Sequence, residues 1–352
     1  MCSCSFLCYE QSISFSQMLA LSFIVPCYNV EKYIQQCLDS IYACDLPEEQ
    51  YEVVCVNDCS PDNVQEILER NRDKHDNMRI VVHEKNKGLG GARNTGICEA
   101  RGKYLWFVDS DDMVIAGGVK DLIRGVIEQG LDVLCFNYCR MDEEGKELSR
   151  HLVFTDTSAK NGYAFVKSVF GTGIVNHMGY VVRFLFRTDF LRSKQLCFPE
   201  KVYWEDTVFM PKALLEADNV AAVSDVLYSY RVNPDSISGC FARIYPAKMI
   251  YEFAFCAGGD LLCFSEIVKD EDLKMVFRDT AIRKYINGYA IHLFRTNGKE
   301  RKKFYEMVDE NRDSVVQLEK YMSWSNRLFL HRFLGPLLMS VMSFVYQVKH
   351  GK

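Results

Sequence analysis

The sequence contains no Cys-x-x-Cys pair, although it has 15 cysteines. Structural zinc sites usually draw their ligands from such closely spaced pairs, so a zinc-binding module is not expected. The thiols are scattered and odd in number, and Cys27, Cys55 and Cys98 lie inside apolar segments. This usage is typical of a reducing compartment, and we expect a cytoplasmic protein.

Surplus positive charge is also lacking, since 42 Lys and Arg residues face 47 Asp and Glu residues. A general nucleic-acid-binding protein normally carries a basic surplus, so nucleic acid is not expected as a partner. The amino terminus has no basic segment before an apolar run, so a signal peptide is not expected. We interpret residues 1–19 as a frayed extension, with Met1 or Met18 as the start.

Near the carboxyl terminus, the uncharged run from Phe333 to Val348 is shorter than the ~18 residues that suggest a membrane span. Polar residues recur in it at helical spacing, which predicts an amphipathic helix over 327–348. Such a helix could lie on a membrane surface, pack on the protein or contact a second subunit.

Short apolar runs alternate with segments of helical spacing between Leu21 and Tyr138. The runs lie at 21–25, 51–56, 79–82, 104–108 and 131–136. Continuous apolar strands separated by helices are typical of a parallel sheet covered on both faces, so the pattern predicts an α/β nucleotide-binding architecture.

Polar residues follow four of these runs, at the strand ends where ligands of such sheets gather. The four sets are Pro26–Asn29, Asn57–Asp62, His83–Asn94 and Asp109–Asp112. One shared ligand explains four converging sets better than four unrelated turns do. The last set places three aspartates after the buried LWFV, which fits either a metal site or a solvated turn.

The stretch GLGGARN, residues 88–94, follows the third predicted strand and carries no Gly-Lys-Ser/Thr ending. It is therefore neither a dinucleotide-binding fingerprint nor a Walker loop. We expect its glycines to let a helix begin close to a neighbouring backbone, with Arg93 one turn in and able to reach a phosphate.

Four segments together resemble the family 2 glycosyltransferases of the GT-A fold. They are LSFIVPCYNVEKYIQQCLDSI, VVCVNDCSPDN, NKGLGGARNTGI and GKYLWFVDSDD, and VRFLFRTDFL, WEDTVF and LYSYRVNPDSIS add a weaker match. The resemblance implies a GT-A catalytic domain over 20–238, with a donor half (20–135) and an acceptor half (136–238), followed by a helical region over 239–352. It also implies a mostly parallel central sheet.

The resemblance further implies that Asp109 and Asp111, in a DxD element, hold Mg²⁺ or Mn²⁺ against the diphosphate of a UDP-sugar. The residues that would line the nucleotide pocket include Asp58 at the uracil or ribose edge and Tyr28 beside the base; the whole set is Pro26, Tyr28, Asp58, Arg93 and Asp109. Cys59 departs from the family, which usually has glycine there.

On the acceptor side the resemblance assigns the catalytic base to Asp206, next to Glu205, near a predicted helix start. Adjacent positions there point in different directions, so one of the two acids should face the reaction centre. Arg231 would clamp the donor diphosphate from the loop that contains Ser236, although a surface ion pair explains it nearly as well.

The sequence thus predicts an inverting glycosyltransferase that moves a sugar from a UDP-sugar to a hydroxyl of a glycan or lipid-linked glycan, in bacterial surface-polysaccharide assembly. For such an enzyme we favour the membrane surface, at the cytoplasmic face of the inner membrane, for the 327–348 helix. No QxxRW motif is present, which favours single additions. The alternatives are a sugar-nucleotide pyrophosphorylase and a non-catalytic scaffold that binds nucleotide-sugars.

Overall fold

The computed structural model describes residues 18–170, 180–233, 236, 239, 246–295, 298–310, 316 and 320–322. Most of the extension over 1–19 and the whole of the 327–348 segment lie outside these residues, so both interpretations stay predictions. None of the described helices combines the length and hydrophobicity that crossing a bilayer requires.

A mixed β-sheet forms the centre of the described chain. Its strands are β1 (Leu21–Cys27), β2 (Tyr51–Asn57), β3 (Met78–Val82), β4 (Tyr104–Phe107), β5 (Met113–Val114), β6 (Val133–Met141), β7 (Glu147–His151), β8 (Phe184–Arg187) and β9 (Val220–Arg231). They are ordered β3-β2-β1-β4-β8-β6-β9-β5, and β7 pairs with β6. Strands β1 to β4 are mutually parallel, and β6 pairs parallel with β9.

The predicted strands are confirmed, because each apolar run falls on a strand of this sheet. Every residue of β1, β2 and β4 is buried, and a strand buried on both faces reads as a continuous apolar run. The runs gave no sign of the antiparallel strands: β8 pairs antiparallel with β4 and β6, and β5 with β9. The sheet is therefore mixed: β1 to β4 form a parallel block, and the antiparallel pairings involve β5, β7 and β8.

Helices connect the strands and extend the chain beyond the sheet. Those up to residue 216 are α1 (Ile34–Tyr42), α2 (Val64–Arg72), α3 (Gly88–Glu99), α4 (Val119–Gln129), α5 (Gly162–Phe170), α6 (Thr188–Ser193) and α7 (Glu205–Glu216). The predicted helical carboxyl-terminal region is confirmed, with α8 (Ala247–Tyr251), a π-helical turn (Glu252–Cys256), α9 (Ala257–Ile267), α10 (Glu271–Arg295) and α11 (Gly298–Glu310).

A glycine of GLGGARN allows α3 to lie close to a neighbouring backbone, as predicted, because a Cβ at Gly90 would stand 2.2 Å from the carbonyl oxygen of Pro199. Gly96, beyond that stretch, does the same against β1, since a Cβ there would stand 2.0 Å from Cγ2 of Ile24. Any larger residue there would collide with backbone or core. This close approach fixes the position of Arg93 on α3.

Candidate active site

Contacts between neighbouring loops join the four polar sets at the carboxyl edge of the sheet. The backbone N–H of Asn29 donates to Ser60 Oγ at 2.8 Å. Asp58 accepts from the start of α3, and Arg93 of α3 contacts Asp109 after β4. The prediction that these sets converge is confirmed.

Arg93 links the donor half of the site to α7. Its Nη2 donates to Asp109 Oδ1 at 2.7 Å, its Nη1 donates to Glu205 Oε1, and its guanidinium lies over the Phe198 ring. Burial works to lower the pKa of Arg93, but Asp109, Glu205 and Asp206 outweigh it and raise that pKa. Arg93 is therefore a permanent cation that neutralises one acid from the loop after β4 and another at the start of α7.

The aspartates after β4 differ in their surroundings. Asp109 and Asp111 are partly exposed, whereas Asp112 is buried. The Tyr228 hydroxyl donates to Asp112 Oδ2 at 2.7 Å, and the Arg231 N–H donates to its Oδ1 at 2.7 Å. Asp112 therefore fastens the acidic loop to β9, a role that sequence reasoning missed because its partners lie far along the chain.

Burial, followed by the charge on Asp109, raises the pKa of Asp111 to about 6. Two neighbouring carboxylates in a partly desolvated loop repel each other, and a cation bound between them would relieve that repulsion. Among the described residues, no three His, Cys, Asp or Glu side chains are grouped so as to hold a metal ion by themselves. Asp109 and Asp111 offer the hard oxygen donors of a site that substrate phosphates would complete.

Asp58 is buried at the end of β2 and holds the start of α3. Its Oδ1 and Oδ2 accept from the N–H groups of Lys87 and Gly88, each at 2.8 Å, and Oδ1 also lies 2.6 Å from His83 Nδ1. The other ring nitrogen of His83 lies 2.9 Å from Thr95 Oγ1. Both the carboxylate and the helix start are thus fixed before any nucleotide binds, and sequence reasoning did not foresee the part played by His83.

The residue expected to flank the nucleotide base is exposed to solvent. Pro26 is buried within β1, and Tyr28 beyond it is 49% exposed. Cys59 has a φ of +57°, the left-handed conformation that favours glycine. Cys59 therefore adopts a backbone conformation that glycine would take without strain.

The two acids of the segment Tyr203–Asp206 differ in their partners. Glu205 is buried and turned to Arg93, whereas Asp206 is half-buried and forms no ion pair with any described residue. Trp204 has a φ of +67°, which is strained for a bulky side chain. Burial, and next the charge on Glu205, raise the pKa of Asp206 to about 8, while Arg93 and Lys284 oppose the rise.

The carboxyl-terminal helices hold this segment in place. Glu252 Oε2 accepts from the Tyr203 N–H at 2.7 Å, and the Phe253 ring packs edge-on against Trp204 at a centroid distance of 5.5 Å. Both residues come from the π-helical turn between α8 and α9. The strained backbone before Asp206 is therefore braced by a region in which the sequence showed no motif.

Residues 22–194 match the sequence model of the glycosyl transferase family 2. The chain is 29% identical over 313 residues to the poly(ribitol-phosphate) beta-N-acetylglucosaminyltransferase TarS of Staphylococcus aureus (strain Mu50 / ATCC 700699), covering 88% of this chain and 49% of that protein. It is 34% identical over 224 residues to EpsJ of Bacillus subtilis (strain 168), an uncharacterized glycosyltransferase, covering 62% of each.

A crystal structure of S. aureus TarS 1–349 in complex with UDP-GlcNAc has the same fold, with a TM-score of 0.67 at 22% identity, covering 95% of this chain and 92% of that one. Residues 22–194 of the chain form a glycosyltransferase family 2 domain. The chain has the GT-A fold that the resemblance implied, and it spans about half the length of the curated TarS protein.

Arg231 lies at the end of β9 and is buried. Its Nε donates to the Asp111 carbonyl at 2.8 Å, Nη1 donates to the Glu143 carbonyl, and Nη2 donates to Gln36 Oε1 at 2.7 Å. These contacts tie the acidic loop to the β6–β7 connection. The assignment of Arg231 to the donor diphosphate stays a prediction.

Proposed function

We propose that the protein is an inverting glycosyltransferase that transfers a sugar from a UDP-sugar to a hydroxyl of a glycan or lipid-linked glycan acceptor. The observation that carries the proposal is a contrast between the two acids. Glu205 forms an ion pair with Arg93, whereas Asp206 has no ion-pair partner among the described residues. An acid left free beside a charged cluster is suited to proton transfer.

In the proposed reaction, Asp206 accepts the proton of the acceptor hydroxyl while that oxygen forms a bond to the anomeric carbon. The bond from this carbon to the diphosphate breaks on the opposite face, and its electron pair leaves with UDP. Inversion follows, because the attacking and departing oxygens lie on opposite faces of the sugar. Arg93 holds Asp109 and Glu205 in fixed positions throughout.

For the donor, we assign the nucleotide to the edge formed by Pro26, Tyr28, Asp58 and Arg93, with Arg231 behind the acidic loop. The exposed ring of Tyr28 is available to flank a base, and Asp58 is already oriented by two backbone N–H groups. Asp109 and Asp111 would hold Mg²⁺ or Mn²⁺, which would stabilise the charge that develops on the departing diphosphate.

TarS, to which this chain is similar, is named for the transfer of N-acetylglucosamine to poly(ribitol phosphate), and TarS 1–349 has been crystallised with UDP-GlcNAc. We therefore propose UDP-GlcNAc as the first donor to test and a bacterial surface polymer as the acceptor class. We also propose that the 327–348 segment brings the enzyme to a membrane surface where lipid-linked acceptors are found.

The test is UDP release from a panel of UDP-sugars, with and without acceptor glycans, for the parent protein and Asp206→Asn. Asp206→Asn should lower turnover by about 10²–10⁴-fold and leave UDP-sugar binding nearly unchanged, since an amide cannot take the proton. Asp225→Asn, at an exposed position, is the matched control. A severe loss in Glu205→Gln combined with a mild one in Asp206→Asn would reverse the assignment of the base.

A further inference from the structure

Lys284 places a cation inside the carboxyl-terminal region without an acceptor for its protons. Its side chain, on α10, is buried with 7% exposure, and Nζ lies 4.5 Å from the centroid of the Phe253 ring. Within the part of the chain that the structure describes, Lys284 donates no hydrogen bond and forms no ion pair. An ammonium group that has lost most of its water usually has such a partner.

The aromatic contact only partly replaces the lost hydration, because the face of a phenyl ring is a weaker partner than an oxygen anion. Burial accordingly lowers the pKa of Lys284 to about 8, even though Asp206 opposes the shift. An anion bound at Nζ would supply the missing partner and keep the lysine charged. Lys284 therefore has the properties of a binding residue whose missing partner is supplied by an anionic ligand.

The position of Lys284 identifies which ligand it could meet. The carboxyl-terminal region contacts the catalytic segment at successive points: Glu252 at Tyr203 and Phe253 at Trp204. Lys284 continues this series, since its ammonium group lies over the same Phe253 ring, and it forms no ion pair with Asp206. The ammonium group thus packs on a ring that contacts Trp204, two residues before the proposed base.

Building on the proposed function, we propose that Lys284 forms an anion subsite for the acceptor. In this subsite it binds a phosphate or carboxylate group that the acceptor carries near the hydroxyl deprotonated by Asp206. The helices after the sheet would then contribute to acceptor selection as well as to stability.

The subsite is tested in the full chain saturated with UDP, so that added anions cannot occupy the donor diphosphate position. Glycerol 3-phosphate, glycerate and glycerol are titrated by calorimetry as phosphate, carboxylate and neutral probes on one carbon skeleton. At least one of the two anions should bind, and glycerol should not. Lys284→Met should weaken the anion affinity by about tenfold or more, the range expected for one charge-assisted hydrogen bond, whereas Lys284→Arg should retain most of it.

Arg283→Met is the matched control, because it removes one positive charge from the exposed neighbouring position of the same helix. It should leave the anion affinity unchanged. The proposal is overturned if neither anion binds better than glycerol, or if Lys284→Met and Arg283→Met have equal effects. UDP affinity is measured for every variant, so failure of the donor assignment is seen separately: a parent protein that does not bind UDP refutes the proposed function itself.

Discussion

Replacing Arg93 with methionine should cause a large, pH-dependent loss of stability. The guanidinium is buried between Asp109 and Glu205, and methionine keeps much of its volume while removing the charge. Removing one partner of a buried ion pair typically costs about 3–5 kcal/mol, because the remaining charge is left uncompensated. Here the guanidinium has two partners, so we expect a loss in the upper part of that range.

The pH dependence follows from Glu205. Burial raises the pKa of Glu205, and Arg93 opposes that rise, so removal of Arg93 moves this pKa further upward. A carboxyl group whose pKa is raised on folding contributes stability that is fully present below its unfolded pKa of about 4.3 and is lost as the pH rises through the folded value. The Arg93→Met variant should therefore lose more stability at pH 8 than at pH 5.

Urea denaturation at these two pH values measures the effect. Arg124→Met, which breaks an exposed pair with Asp121, is the control and should lose no more than about 1 kcal/mol at either pH. Adding Glu205→Gln to Arg93→Met should recover part of the loss, since it removes an uncompensated acid. A loss in Arg93→Met that equals the Arg124→Met loss, or that is the same at pH 5 and pH 8, would refute this account of the cluster.

Three further outcomes are expected. Burial raises the pKa of Asp206 to about 8, and the proposed base must be a carboxylate to accept a proton. The value of kcat/KM for transfer should therefore fall as the pH drops below about 8, and a flat profile from pH 6 to 9 would contradict this. Gly96→Ala should lower the free energy of unfolding by about 1–3 kcal/mol, because the added methyl group collides with Ile24. Gly125→Ala, where the nearest neighbour would be 3.9 Å away, should raise the free energy of unfolding by up to about 1 kcal/mol. Equal effects of the two substitutions would refute the packing argument. Asp111→Asn should abolish transfer and weaken Mn²⁺ binding measured by calorimetry, and full activity of this variant in chelator would exclude the metal site.

The donor half could be predicted well from the sequence because its signals are local. A strand buried on both faces leaves a continuous apolar run, and the polar residues that follow it lie at a known edge of the sheet. The crowding at Gly90 was likewise predicted from the density of glycine in GLGGARN, whereas that at Gly96 was not. These features need no knowledge of distant partners.

The parts that could not be predicted depend on such partners. Nothing near Asp112 indicates that Tyr228 will bond to it, and nothing near Arg231 shows that it will donate to the carbonyl of Asp111. The contact of Lys284 with Phe253 also depends on how the carboxyl-terminal helices pack. A charged residue in sequence is equally compatible with a solvated surface, and only the fold determines which role it has.

The contacts between the π-helical turn and the segment before α7 have a consequence for how this chain can be divided. The family match ends at residue 194, before Asp206, and the sheet ends with β9. A fragment cut after β9 would keep every strand but lose Glu252 and Phe253, which hold Tyr203 and Trp204. The segment before α7 would then lose two of its contacts. We therefore expect the position of Asp206 to depend on helices that lie beyond the last strand of the sheet.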